Sequence, residues 1–312
     1  MKELDCFLIE KIDEESLWSL KESIESVTES SDIDSILRKW LRQHKAQKIK
    51  VENGMLVLTG KTGMVTNELH FDKGETDVPD NVKIKNENFT CGFLVKGPDL
   101  KTIKWIPSTY STGQLYLEDC DSLEDFDAVM TNGIVKIKNC KKLKSFSGVK
   151  SLKGKDAAYF YIDDCPSLEI GDFEGVKTKL GLKNCGIKSL KGYPIFEETW
   201  IWGKKGSDVK VENCNNLVSL DIKSDVAPIE FDIKECSKLS KVGNCSWPKD
   251  GETNYYYFWK CSNVDEKFLE ELYDMSSHGE HGAVSIGGTK ISPDSQIIQR
   301  IKKERPEWSI TT

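Results

Sequence analysis

From residue 115 onward the chain repeats one short pattern: an apolar residue, any residue, a second apolar residue, two mostly polar residues and a cysteine. Leu115, Leu117 and Cys120 set it out, followed by Val135, Ile137 and Cys140, by Phe160, Ile162 and Cys165, and by Leu180, Leu182 and Cys185. Val209, Val211 and Cys214 continue it, as do Phe231, Ile233 and Cys236, and then Tyr256, Phe258 and Cys261. An eighth copy, Val284 and Ile286, has Thr289 where the others have cysteine. A further apolar residue stands two or three places beyond each corner, as at Leu123, Leu143, Leu168, Ile187, Leu217 and Leu239. The seven cysteines lie 20, 25, 20, 29, 22 and 25 residues apart, a spacing that coincidence does not produce.

Apolar, any, apolar predicts a short strand with two inward side chains and one outward between them. A single coil of this size cannot bury its apolar side alone. Successive coils are therefore expected to stack, strand beside strand, into a parallel sheet. Where each strand ends, the chain must turn while its backbone groups leave water and need partners. Cysteine is small and carries a weak donor, which suits a buried corner, and threonine can serve there with its hydroxyl.

These residues resemble the leucine-rich-repeat family, whose pattern L-x-x-L-x-L-x-x-N/C-x-L puts asparagine or cysteine at the same corner. The Cys-x-x-Leu spacing is similar to the cysteine-containing subclass, over about residues 90–291. The resemblance implies a curved solenoid with reduced thiols and a role in protein recognition. The chain departs from the family in its irregular coil lengths and in lacking long helical segments between most strands. Loops and short turns are thus expected on the convex side.

Both open ends of such a stack need covers. Near the C-terminus, Asn263 and Glu266 have capping-box spacing before Phe268, Leu269 and Leu272. Ser292, Pro293 and Asp294 are expected to open another helix with Ile297, Ile298 and Ile301 as its buried stripe. Arg300, Lys302, Lys303 and Arg305 crowd its last turns and Pro306 stops it. Trp308 to Ile310 reads as one more strand. In the first 80 or so residues, Leu17, Leu20, Ile24 and Val27 mark one amphipathic helix, and Ile33, Ile36, Leu37, Trp40 and Leu41 a second. A hairpin follows around Asn53 and Gly54. Leu69 with Phe71, Val82 with Ile84, and Phe93 with Val95 look like degenerate coils leading into the array. The expected fold is α/β: a small α/β capping module over 1–78, then a leucine-rich-repeat-like solenoid with a parallel sheet over 79–312, capped by helices from about residue 263.

The first ten residues, with Lys2, Phe7, Leu8 and Glu10, are also weakly similar to the leaders of internal head proteins of large tailed bacteriophages, which would imply a phage origin. They carry acids where a secretory signal carries bases. No stretch approaches the roughly 18 apolar residues that span a bilayer. A cytoplasmic protein without a membrane partner is expected. The net charge of −7 disfavours nucleic acid as a partner. Ten cysteines without a C-x-x-C pair fit neither a zinc finger nor a thioredoxin motif.

Candidate chemistry follows from the outward positions. The column after each second apolar residue reads Glu118, Lys138, Asp163, Lys183, Glu212 and Lys234. Acid and base alternate there, which predicts a self-neutralising ladder that fixes strand order. The column between the apolar positions reads Tyr116, Lys136, Tyr161, Gly181, Lys210, Asp232 and Tyr257, flanked by Tyr159, Tyr255 and Trp259. Exposed aromatics of this kind are over-represented at binding hot spots, although cross-strand pairing also explains them. Tyr116, Lys136, Tyr161, Lys210, Tyr255, Tyr257 and Trp259 are therefore the candidate partner-binding residues, and Trp200 and Trp202, in the longest coil, are expected to extend that surface or pack beneath it. His278 and His281 lack a third metal ligand, and no phosphate loop or catalytic motif occurs. No metal, cofactor or catalytic residue is expected. The expected function is a non-enzymatic scaffold that binds a protein, a host factor if the gene is viral. Its rivals are an N-terminal effector or enzyme module targeted by the repeats, and a structural component of a virus particle.

Overall fold

The computed structural model describes residues 48–52, 55–59, 67–77, 82–85, 93–106, 114–129, 133–152, 158–196, 206–249 and 251–312. Strand β1 (Lys48–Glu52) pairs antiparallel with β2 (Met55–Thr59), Glu52 facing Met55 across the hairpin that the asparagine–glycine pair predicts. The next strand, β3 (Asn67–His70), leaves that sheet and pairs in parallel with β5 (Phe93–Lys96), whereas β4 (Val82–Lys85) joins β2. Val82 and Ile84 are thus not a rung of the long sheet. Their apolar-x-apolar pattern is satisfied in a second, three-stranded one. The helices expected around Leu17 and Trp40 lie outside the described residues.

From β5 the chain adds strands in order: β6 (Gln114–Glu118), β7 (Gly133–Lys138), β8 (Ala158–Asp163), β9 (Lys179–Lys183), β10 (Asp208–Glu212), β11 (Glu230–Lys234), β12 (Tyr255–Trp259), β13 (Ala283–Ser285) and β14 (Ser309–Thr311). Each pairs in parallel with its neighbours, giving one open sheet of eleven strands that β3 begins and β14 ends. Between strands the chain is mostly irregular, with short 3-10 segments at Ser147–Leu152 and Gly171–Phe173. This is an α/β arrangement with few helices, compatible with a repeat fold. Burial alternates along the strands, as in the pattern half-buried, buried, half-buried, buried of β6, so the apolar pair of each coil enters the core and the residue between faces out.

The corners repeat one geometry. Cys120, Cys140, Cys165, Cys214 and Cys236 each direct the thiol to the carbonyl two residues back at 3.3–3.6 Å, and Cys185 and Cys261 do so at 3.1 and 3.7 Å. The corner carbonyl then accepts from the amide three residues on, at Leu123, Leu143, Leu168, Leu217, Leu239 and Val264. All seven thiols are buried and free. Thr289 directs its hydroxyl to the Ile286 carbonyl at 2.7 Å, three residues back rather than two, and accepts from the Ile291 amide. The residue before each corner cysteine is left-handed, with φ of +50° to +58° at Asp119, Asn139, Asp164, Asn184, Asn213, Glu235 and Lys260, and Gly288 takes that position before Thr289. Asparagine, aspartate and glycine are the residues that accept this conformation most readily, which explains why they hold most of these sites. Their side chains also bond between coils, Asn139 to Asp119, Asn184 to Asp163 and Asn213 to Asn184.

Inside, Phe126, Phe146, Phe160 and Phe173 pack ring to ring at centroid distances of 4.9–6.2 Å. One seam interrupts the regularity. In the longest coil, β10 is in register with β9 only from Lys210 opposite Gly181 onward. The buried Tyr193 hydroxyl enters there, accepting from the Lys210 amide at 2.8 Å and donating to the Leu180 carbonyl. It supplies by side chain what the backbone ladder does not. Burial raises the pKa of this phenol.

Two helices cover the C-terminal end, α1 (Glu266–Asp274) and α2 (Gln296–Glu304). Phe268, Leu269, Leu272, Ile297, Ile298 and Ile301 are buried beneath them. The cap of α1 is Asp265, whose carboxylate accepts from the Phe268 amide at 2.9 Å, not Asn263, whose side chain pairs with Lys290. Pro293 and Asp294 form a turn and α2 begins only at Gln296, three residues later than the proline implied. Arg300 ties the two helices together through Asp274 at 2.7 Å and lies 5.4 Å over the Tyr273 ring.

Candidate protein-binding face

The outward column is assembled by the parallel register. Tyr116 faces Lys136, Lys136 faces Tyr161, Tyr161 faces Gly181, Gly181 faces Lys210, Lys210 faces Asp232 and Asp232 faces Tyr257. One position earlier on the same face, Tyr159 is opposite Lys179 and Glu230 is opposite Tyr255. The seven candidate binding residues thus lie on one face of one sheet. Trp200 and Trp202 lie outside the described residues.

Their environments differ. Lys136 sits 5.1 Å over the Tyr116 ring and Lys179 sits 5.6 Å over Tyr159, so these aromatics are paired across strands. Tyr161 covers Gly181, where an added Cβ would come within 3.1 Å of the ring. Trp259 covers Gly287 so closely that a side chain there would collide with the indole. Both are aromatic rings shielding a glycine on the next coil. Tyr161 and Trp259 nevertheless remain 46 % and 42 % exposed. Tyr255 and Tyr257 stack on each other with centroids 6.1 Å apart.

The charge ladder has the expected register, Glu118 opposite Lys138 and so on to Glu212 opposite Lys234. Ion pairs close at Lys96–Glu118, 2.5 Å, and Lys183–Glu212, 2.6 Å. Asp232 departs from its column: only 7 % of it is exposed, and Lys234 holds its carboxylate at 2.8 Å. Beside it, burial and the neighbouring Asp208 and Asp232 push the Glu230 carboxyl up to about 7.

No family model matches this chain, and neither does any curated protein or solved structure. The face is therefore read from its own geometry. His278 is half-buried in the C-terminal cap. Its ring stacks on Tyr273 at 3.9 Å, and its two nitrogens face the Thr253 and Tyr273 carbonyls at 3.0 and 2.9 Å. Burial lowers its pKa. His281 is exposed. Hydrogen bonding to the adjacent thiol, with burial, raises the pKa of Cys120, Cys165, Cys185 and Cys236, and burial pushes Cys245 up to about 12. Cys6 and Cys91 lie outside the described residues. Among the described residues no helix is long and apolar enough to cross a membrane.

Asp208 and Glu230 escaped the sequence reading. They stand two positions before Lys210 and Asp232, in the same row as Tyr159 and Tyr255, so the period-2 alternation that found the central column also points to them. Tyr193 left no such signal, because its partners belong to strands 13 and 17 residues away.

Proposed function

We propose that the chain is a solenoid of leucine-rich-repeat type that acts as a non-enzymatic recognition scaffold, holding a protein partner on the outer face of its long sheet. The fold assignment is supported by strands that pair in parallel in chain order and by a cysteine corner of one geometry in coil after coil. Buried free thiols are in keeping with a reducing compartment such as the cytoplasm.

The observation that carries the functional reading is where the exposed apolar surface lies. Among the described residues the exposed large hydrophobic side chains are Val129, Tyr161 and Trp259, and two of these three stand on the outer face. Single exposed apolar residues are ordinary. A row of aromatics along one rigid sheet, interleaved with lysines, has the composition of a hot spot, because tyrosine and tryptophan bury much area while losing few rotamers.

The test is affinity capture from the source cell with the wild-type protein and with a Tyr161→Ala/Tyr257→Ala double variant. Trp259 is left intact because it packs on Gly287 much more closely than Tyr161 packs on Gly181. A protein retained by the wild type should be lost, or weakened at least tenfold, with the variant, whose melting temperature should stay close to that of the wild type. Equal retention by the folded variant would overturn the assignment of this face.

A further inference from the structure

Two aromatic rings on the outer face lie down over the next strand instead of standing away from the sheet. An added Cβ on Gly181 would come within 3.1 Å of the Tyr161 ring, and one on Gly287 would collide with the six-membered ring of the Trp259 indole. Each ring therefore fills the room that a neighbouring side chain would take. One side of it rests on backbone, and the other is turned to solvent, since Tyr161 and Trp259 are 46 % and 42 % exposed. The result is a pair of apolar plates, one over β9 and one over the residues that follow β13. The register fixes their separation. Tyr161 is level with Gly181, Lys210, Asp232 and Tyr257, and Trp259 stands two residues further along β12. Four strand spacings and a two-residue offset put the plates about 20 Å apart. Between them Lys234 and Lys210 both reach towards Asp232, at 2.8 and 3.9 Å.

Hydrogen bonding limits what can lie across both plates. The backbone N–H and C=O groups of a sheet lie in its plane and are used between strands, so a segment crossing the outer face finds no ladder to join. A β-strand laid there would gain no backbone partner. A polyproline II helix needs none, because its backbone is solvated by water, and a proline-rich chain adopts it before binding and so loses little entropy. With three residues per turn and a rise of about 3.1 Å, residues six apart share one side of that helix and stand about 19 Å from each other. That distance matches the two plates. A pyrrolidine ring is apolar and already fixed, and it packs on an aromatic face without losing rotamers. We propose that Tyr161 and Trp259 dock two prolines, six residues apart, of a polyproline II segment of the protein partner that crosses the strands from β9 to β13. This rests on the reading of the outer face as a recognition surface and adds the chemistry of what it recognises.

The probe is heptaproline, acetylated and amidated, titrated into the full-length protein by calorimetry and by chemical shifts, with tetraproline as the short control. Heptaproline reaches both rings, whereas tetraproline spans only about 9 Å and reaches one. The longer peptide should bind about tenfold more tightly, with shifts at the Trp259 indole N–H and the Tyr161 amide. Tyr161→Ala should bring heptaproline down to the affinity of tetraproline, and Tyr161→Phe, which keeps the ring, should bind like the wild type. Alanine in place of the first and seventh prolines should cost as much as Tyr161→Ala. Equal affinity for the two lengths, wild-type binding by the folded Tyr161→Ala variant, or no shift at either ring at millimolar peptide would each overturn the inference. So would tighter binding of a peptide with arginine at both ends and five glycines between, which would assign the rings to stacked cations. If Tyr161→Ala/Tyr257→Ala abolishes capture of the native partner while heptaproline fails to bind, the docking of proline alone falls and the recognition face stands. If heptaproline binds at both rings but native capture ignores the face, the broader reading falls instead.

Discussion

Inside the long sheet the same types of side chain return at every coil, whereas on its outer face adjacent coils rarely repeat one another. The inward positions are Leu115 and Leu117, Val135 and Ile137, Phe160 and Ile162, all buried and all followed by a buried cysteine. One position away, the outward residues run Tyr116, Lys136, Tyr161, Gly181, Lys210, Asp232 and Tyr257. The inward set has one task, to fill a core that continues from coil to coil. Its repetition reflects packing. The outward set keeps strand order with only weak cross-strand pairs, which leaves its composition free to vary from coil to coil.

The most severe way to break this distinction is to compare neighbours on one strand. Phe160→Ala removes a ring from the four-phenylalanine cluster and should destabilise the protein by about 4 kcal/mol in urea unfolding. Tyr161→Ala, one residue on but outward, should cost less than about 1 kcal/mol. Similar costs would erase the contrast between the faces. Next in size is Tyr193→Phe, which leaves the Lys210 amide and the Leu180 carbonyl without a partner at the seam. A loss of about 2 kcal/mol is expected, with accelerated hydrogen exchange at the Lys210 amide.

A third substitution sharpens the comparison by improving the repeat. Lys260 holds a left-handed φ of +54° where most coils use asparagine or aspartate. Lys260→Asn should stabilise the protein by about 0.5–1 kcal/mol, less the small contribution of its exposed ion pair with Glu235, and differential scanning calorimetry would read the gain. The smallest change is expected from pH. His278 has a pKa below the ordinary imidazole value, so the folded state takes up fewer protons than the unfolded chain. Stability should therefore decline as pH falls through the usual imidazole range near 6.5, and His278→Phe should flatten that part of the profile.

The long sheet was legible because its signal is periodic. Apolar-x-apolar followed by cysteine recurs too often to be accidental, and it fixes both strand and turn. The same logic failed at Val82 and Ile84, where three residues without a corner cysteine do not say which sheet they enter. The α1 cap was misplaced by two residues because Asn263 and Asp265 both have capping chemistry, and only the contact with Lys290 separates them. The left-handed corner was visible as an asparagine or aspartate before most cysteines, yet Glu235 and Lys260 conceal it in two coils. On the candidate face, the aromatics and lysines could be named from alternation alone. The burial of Asp232 and the raised Glu230 depend on neighbours contributed by three strands, which no local pattern encodes.

Among the described residues, each strand from β6 to β13 pairs only with the strand before it and the strand after it in the chain, so this part of the sheet is held by ties between neighbours. Under tension it should come undone serially, like a zip, with each event paying out one coil. With 20 to 29 residues between corner cysteines, the step in an optical-trap trace should be roughly 70–100 Å of contour length. The longest step should mark the coil that Tyr193 stitches shut.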